Sequence, residues 1–360
     1  MPAWLHVIGV NLGLLLAGIV AVELIFGQWL APYHPPSGAI FGRTFKLEQH
    51  YYRPHKVITY VRDRYGLRGS SAPIGDIELV TVGGSTTDQI FITEGETFQD
   101  IIHARTGLRV TNAGDEGISS TGHIVAVEDW LHRIPGLRPR FYLHYIGVND
   151  AAFAYLTTLP GGNKVLQAQI DNQKDRRALH RIVRGRSALI QGYIRLRDWW
   201  GGPPKIFEAP DHGTDAGRNE IKAEVDGTAL IDYIERIYKP NVRRLLELHQ
   251  ERNEKVILVS QPGRPSAFRR EGSDVWVRNP GFAGYAVALS LVNDATGALC
   301  HERPGKCYFI DLASELAFEN DDFYDNVHTT PAGARRIGEF LSRKLLQIMP
   351  ANAETPTRER

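Results

Sequence analysis

Two cysteines and two methionines are all the sulfur in 360 residues, so no disulfide framework and no cysteine-rich metal module can be built. Excess charge of one sign is missing too. The 42 Lys and Arg balance 41 Asp and Glu to a formal +1, and no dense basic block is interleaved with aromatics, so the electrostatic footprint of a nucleic-acid binder is absent. No H-E-x-x-H or similar cluster calls for a metal, and no G-x-x-x-x-G-K-[ST] calls for a nucleotide phosphate. The G-x-S-x-G elbow of the α/β-hydrolases is lacking as well. No internal repeat occurs, and neither a cofactor nor a metal is expected.

What is present suits a globular enzyme-sized body, 42% hydrophobic and 23% charged, with an unusual N-terminus. "VIGVNLGLLLAGIVAVELIF", residues 7–26, holds one formal charge, Glu23, and is long enough as a helix to cross a bilayer core of roughly 30 Å. A cleaved signal peptide would want a basic start, which "MPAWLH" does not offer, and "LLLAG" lacks the cysteine of a lipoprotein signal. An uncleaved single-pass anchor in the inner membrane is expected. Arg43 and Lys46 follow the span and nothing basic precedes it, which by itself would place the body in the cytoplasm. Cys300 and Cys307 in "CHERPGKC" argue the other way: two cysteines flanking a Pro-Gly turn suit a small disulfide loop in an oxidising compartment, the alternative being two separate buried thiols. The body is expected on the extracytoplasmic, periplasmic side.

The expected organisation is an anchor over 1–30, a Pro-, Tyr-, Gly- and Arg-rich lead-in over 31–71, a catalytic body over 72–350 and a polar tail over 351–360. Within the body, "IELVTV", "LRVTNAG", "RFYLHYIGVND", "KVILVSQPG" and "CYFIDL" read as buried strands. Helical patterns alternate with them, among them "ALIDYIERIYKPNVRRLLELHQER", where Pro240 predicts a break. Such alternation predicts an α/β fold with a mainly parallel sheet covered on both faces. An insertion over about 151–226 interrupts the rhythm; it is basic and partly amphipathic, suited to a solvated helical segment, or to lipid head groups or an anionic polymer.

In an open parallel sheet, sites form at the carboxyl ends of strands. The first strand runs into "GGSTT" with Ser85, the second into "NAGDEGISS" with Gly117, the third into "GVND" with Asn149. The last helix is preceded by "YDNVH" with Asp325 and His328. Ser85 taken alone could be a helix cap, a phosphate ligand or a nucleophile. A serine hydroxyl needs a positioned base, and a histidine needs a partner on its second nitrogen; Asp325 and His328, three residues apart before a helix opened by Thr329 or Thr330 and Pro331, can supply both. His144, within a strand, and His123, opening a helix, are expected to be structural.

The four blocks, in this order over most of residues 77–345, resemble the SGNH (GDSL-type) hydrolases. The resemblance implies a three-layer α/β/α flavodoxin-like sandwich and an ester-cleaving serine. It further implies oxyanion donors at the backbone N–H of Ser85 and Gly117 and the side-chain amide of Asn149. Gly84 stands where the family's name motif has Asp. On these terms the expected function is a Ser85–His328–Asp325 esterase acting on O-acetyl groups of an envelope or exported polysaccharide. The alternatives are an O-acetyltransferase on the same triad, a lipase or thioesterase, and a non-catalytic binding factor. Trp199, Trp200 and Trp276 are candidate glycan contacts, and as readily lids or membrane contacts.

Overall fold

The computed structural model describes residues 2–33, 44–69, 72–175, 183, 185–200, 205–207 and 219–349. The tail expected over 351–360 and much of the basic insertion lie outside these. In chain order the elements are α1 (Ala3–Phe26), β1 (Thr44–Gln49), β2 (Lys56–Val61), β3 (Leu79–Gly83), α2 (Ser85–Asp88), α3 (Phe98–Thr106), β4 (Val110–Gly114) and α4 (Ser120–Asp129). Next come β5 (Phe141–Tyr145), α5 (Val148–Thr157), α6 (Gly162–Lys174), α7 (Ala188–Trp200), β6 (Lys205–Phe207), β7 (Ile221–Lys222), α8 (Thr228–Tyr233) and α9 (Lys239–Glu251). The chain closes with β8 (Lys255–Val259), β9 (Phe268–Glu271), β10 (Asp274–Val277), α10 (Ala283–His301), β11 (Cys307–Ile310), α11 (Leu312–Glu315) and α12 (Pro331–Ile348).

Strands β3, β4 and β5 are buried at every residue, so both sheet faces must be covered. They join β8 and β11 in a parallel sheet of order β11-β8-β5-β3-β4. Numbered along the sheet's own strands this is 2-1-3-4-5, the flavodoxin-like winding expected for the body. One face is covered by α3 and α12, which bring Phe98, Ile102, Ile337 and Leu341 onto Leu79, Leu143 and Ile257. The other face packs α4, α5, α9 and α10 around Val80, Val82, Tyr142 and Leu258. The winding reverses between β3 and β5, and the crevice that reversal opens lies at the strand ends carrying Ser85 and Asn149.

Two details differ from the sequence expectation. Pro240 does not break its helix: a π turn over Ile234–Tyr238 joins α8 to α9, with the Lys239 N–H reaching back to the Ile234 carbonyl. The widened turn shifts the hydrogen-bond ladder at the point where proline has no donor. The lead-in, which shows little periodicity as sequence, carries the antiparallel pair β1–β2, and β6 pairs with β1 in parallel. That small sheet braces the turn that carries Ser85. The buried Arg62 guanidinium donates to Asp88 Oδ1 at 2.8 Å and to the Gly114 carbonyl at 2.6 Å, and Tyr60 OH adds a bond to the same carboxylate at 2.6 Å. Arg68, fully buried, donates to the backbone carbonyls of Asp88 and of Gln89, whose φ of 55° is rare for a residue with a side chain.

α1 has no buried residue, and its most apolar stretch has a mean hydropathy of 2.2, enough by length and composition to cross a membrane. Glu23 near its end accepts hydrogen bonds from the Ser187 hydroxyl (2.6 Å), the Ala188 N–H (2.8 Å) and the Trp29 indole (2.8 Å). The first turn of α7 is thereby fastened to the last turn of α1.

Candidate active site

Ser85 is the first residue of α2, directly after β3 and Gly84. His328 and Asp325 lie in the turn before α12, where Thr330 caps the helix through its hydroxyl and Pro331 takes the first helical position. A second bond, from the Thr330 hydroxyl to the Asp321 carbonyl (2.8 Å), and the Phe323–Thr329 bridge close the loop on itself. The fold brings these three side chains, 243 residues apart at the extremes, into one chain: Ser85 Oγ lies 2.7 Å from His328 Nε2, and His328 Nδ1 2.6 Å from Asp325 Oδ2.

The second Asp325 oxygen accepts the backbone N–H groups of His328 (2.7 Å) and Val327 (2.8 Å). Partial burial pushes this carboxyl up, but the imidazole and the two amides outweigh it and hold Asp325 below the usual carboxylate range. With Asp325 ionised, the ring proton of His328 belongs on Nδ1, which leaves Nε2 to accept from the Ser85 hydroxyl. Tyr324 stacks on the imidazole at 5.6 Å and 7°, fixing its plane.

Asn149 opens α5, and its amide donates to the Ile118 carbonyl at 2.8 Å, tying it to the loop that carries Gly117. Gly117 is exposed with φ of 75°, a conformation glycine adopts freely. Against Gly84 the same amide packs so closely that a Cβ there would lie 2.4 Å from Asn149 Nδ2. Glycine at position 84 is therefore what lets the Asn149 amide stand beside the turn that carries Ser85. All five expected residues cluster at one end of the sheet.

Sequence reasoning assigned nothing to Gln261, just past β8. It donates to Thr86 Oγ1 at 2.8 Å and accepts the Val148 N–H at 2.5 Å, linking the residue after Ser85 to the residue before Asn149. Its place beyond a strand's carboxyl end was the available signal. A cavity of about 810 Å³ opens on the far side of Gln261 and contains none of the five residues.

His144 and His123 are buried, as expected of structural residues, but in a longer array. His123 Nδ1 lies 3.0 Å from His144 Nδ1, His144 Nε2 2.9 Å from His249 Nε2, and His249 Nδ1 2.7 Å from Glu254 Oε2, which His132 also reaches at 2.9 Å. Burial first, then the neighbouring rings, keep His144 well below its ordinary value. With Glu254 ionised, His249 Nδ1 donates to it, and each further ring then has one donor and one acceptor placed. Burial raises the Glu254 carboxyl, but the two imidazoles outweigh it and bring it to about 2. Among the described residues this is where three potential metal-ligand groups lie within 4.8 Å of one another. Both imidazoles already hydrogen-bond to Glu254 Oε2, and Arg252 Nε, 3.4 Å from Glu254, opposes a cation.

No family model matches the chain, and no curated protein matches it. Solved structures do. A G-D-S-L family lipolytic protein from Veillonella parvula is 14% identical, over 76% of this chain and 97% of its own, with a TM-score of 0.41. A GDSL-like lipase from Bacteroides thetaiotaomicron is 13% identical, over 77% and 92%, with a TM-score of 0.39. A catalytic mutant of an acetylxylan esterase from Geobacillus stearothermophilus is 13% identical, over 75% and 92%, with a TM-score of 0.39.

Proposed function

We propose that this chain is a serine esterase of SGNH type, anchored in the inner membrane with its body outside the cytoplasm, that removes O-acetyl groups from an envelope or exported polysaccharide. The carrying observation is the Ser85–His328–Asp325 chain at 2.7 and 2.6 Å. Ser85 Oγ attacks the ester carbonyl carbon as its proton passes to His328 Nε2. Collapse of the tetrahedral intermediate breaks the acyl C–O bond, and Nε2 returns the proton to the departing sugar oxygen. Water then attacks the acyl-enzyme, giving its proton to Nε2, and acetate leaves as Ser85 regains its hydrogen. The Ser85 and Gly117 amides and the Asn149 side chain are the donors for the oxyanion, one such donor contributing about 10²- to 10³-fold in rate.

Anchoring is supported by the unburied α1 and by the helix fastened to its end. Leu189, Tyr193, Leu196 and Trp200 fall at i, i+4, i+7 and i+11 of α7 and are all exposed, with Trp199 beside them. Such a stripe, held at the end of a span, suits the aromatic interface of a bilayer. The Cys300–Cys307 bond, with Cα atoms 5.2 Å apart, supports the oxidising side.

The test is to give the detergent-solubilised chain an acetylated oligosaccharide, with and without an unacetylated acceptor, and to follow acetate and acetylated acceptor together. Acetate release that Ser85→Ala lowers by several powers of ten is expected. Acetyl gain by the acceptor outrunning acetate release would assign the same residues to an O-acetyltransferase, and no Ser85-dependent turnover of any ester would end the proposal.

A further inference from the structure

We propose that the cavity behind the Tyr324 ring is a subsite for an anionic group, a carboxylate or phosphate carried on a saccharide, so that the substrate is an acidic glycan. This deepens the esterase reading and rests on it for the word substrate, though not for the binding.

The cavity, about 760 Å³, begins one ring away from the base: Tyr324 stacks on His328 with one face and lines the cavity. Tyr51, 5.0 Å from Tyr324, and Tyr52, 6.1 Å from it, continue the wall. Aromatic walls of this kind suit the apolar faces of sugar rings.

Its charge is the distinguishing feature. Arg53, Lys56, Arg264 and Arg335 line it against two acids, Glu96 and Asp321. Lys56 is taken by Glu96 at 2.5 Å. Arg53, Arg264 and Arg335 are left without an ion pair or side-chain hydrogen bond among the described residues, although most other arginines described carry one. Arg264 goes further, because its Nε is buried with no hydrogen-bond partner. Three guanidinium groups that line one cavity without an ion-pair partner favour an oxyanion there, which they would hold with short, charge-assisted bonds. Arg264 is also tied to the triad loop, since its backbone N–H donates to the Asn326 carbonyl at 2.8 Å, one residue after Asp325. A glycan with its ester at Ser85 and an anionic residue on these arginines would span the Tyr324 ring.

The experiment separates binding from turnover. The full-length Ser85→Ala chain in micelles is titrated calorimetrically with trigalacturonate, xylotriose and inorganic phosphate, at about 50 mM and about 500 mM salt. Expected is an affinity for trigalacturonate at least about tenfold above that for xylotriose, weakening at high salt and lost in an Arg264→Gln/Arg335→Gln variant. Phosphate binding that the same substitutions abolish, without a trigalacturonate preference, keeps the subsite and makes phosphate its source. Equal affinity for the two trisaccharides with no phosphate binding, or a preference that survives the double substitution, overturns it. Acetate release is measured separately on the native chain: a charged preference without any ester turnover sinks the esterase and leaves the subsite standing.

Discussion

Gly84→Ala should disable the site through Asn149 alone. The added Cβ would lie 2.4 Å from Asn149 Nδ2, while its next contacts, the Ile118 carbonyl oxygen at 3.5 Å and Asn149 Cγ at 3.7 Å, are ordinary. Since unstrained contacts begin near 3.4 Å, the amide must retreat by about 1 Å, the difference between those two distances. The backbone does not object, as φ at Gly84 is −80°. A donor displaced by about 1 Å from a developing oxyanion loses most of its effect, so kcat for p-nitrophenyl acetate should fall about 10²- to 10³-fold, as for Asn149→Ala. The cycle isolates the cause: in an Asn149→Ala background the methyl has room, and Gly84→Ala should cost less than about threefold more. Independent, multiplicative losses would refute the reasoning, as would a Gly84→Ala enzyme of native activity.

Other outcomes follow from burial and charge. Asp150 is fully buried; burial raises its carboxyl to about 6 against the bonds from Ser120 and Tyr233. A raised value means the folded chain holds the proton more tightly, so its stabilisation is complete below about 3.8 and is lost as pH rises through about 6. Urea unfolding should show this loss, up to about 3 kcal/mol, across that window, and Asp150→Asn should remove that slope; an unchanged slope refutes it. Thiol trapping on intact cells without reductant should find Cys300 and Cys307 unreactive, whereas two labelled cysteines would reverse the topology. Trp199 and Trp200 fluorescence should be quenched by lipids brominated on their acyl chains, and no quenching would remove α7 from the bilayer surface.

Much of the site was legible because each part is local to a strand end or a turn. Ser85 follows an apolar run that stops at two glycines, and Asp325 and His328 sit in one capped turn. Gln261 was not legible as a clamp, since its partners Thr86 and Val148 lie 175 and 113 residues away. The histidine array is hidden for the same reason: His144 and His249 are 105 residues apart, and only the sheet brings them within 2.9 Å. The β1–β2 pair was missed because its strands are short and the inward series of β1 ends in Gln49, a polar residue buried by hydrogen bonds that composition does not reveal. The gathering of Arg53, Arg264 and Arg335 around one cavity is likewise a property of the fold, since they come from three distant parts of the chain.

The most direct measurement is reaction of the native chain with a fluorophosphonate, followed by peptide mass spectrometry. An activated nucleophile predicts one adduct, on Ser85, that forms at least about a hundredfold more slowly in His328→Ala. No adduct on Ser85, or one that forms at the same rate without His328, would contradict the triad.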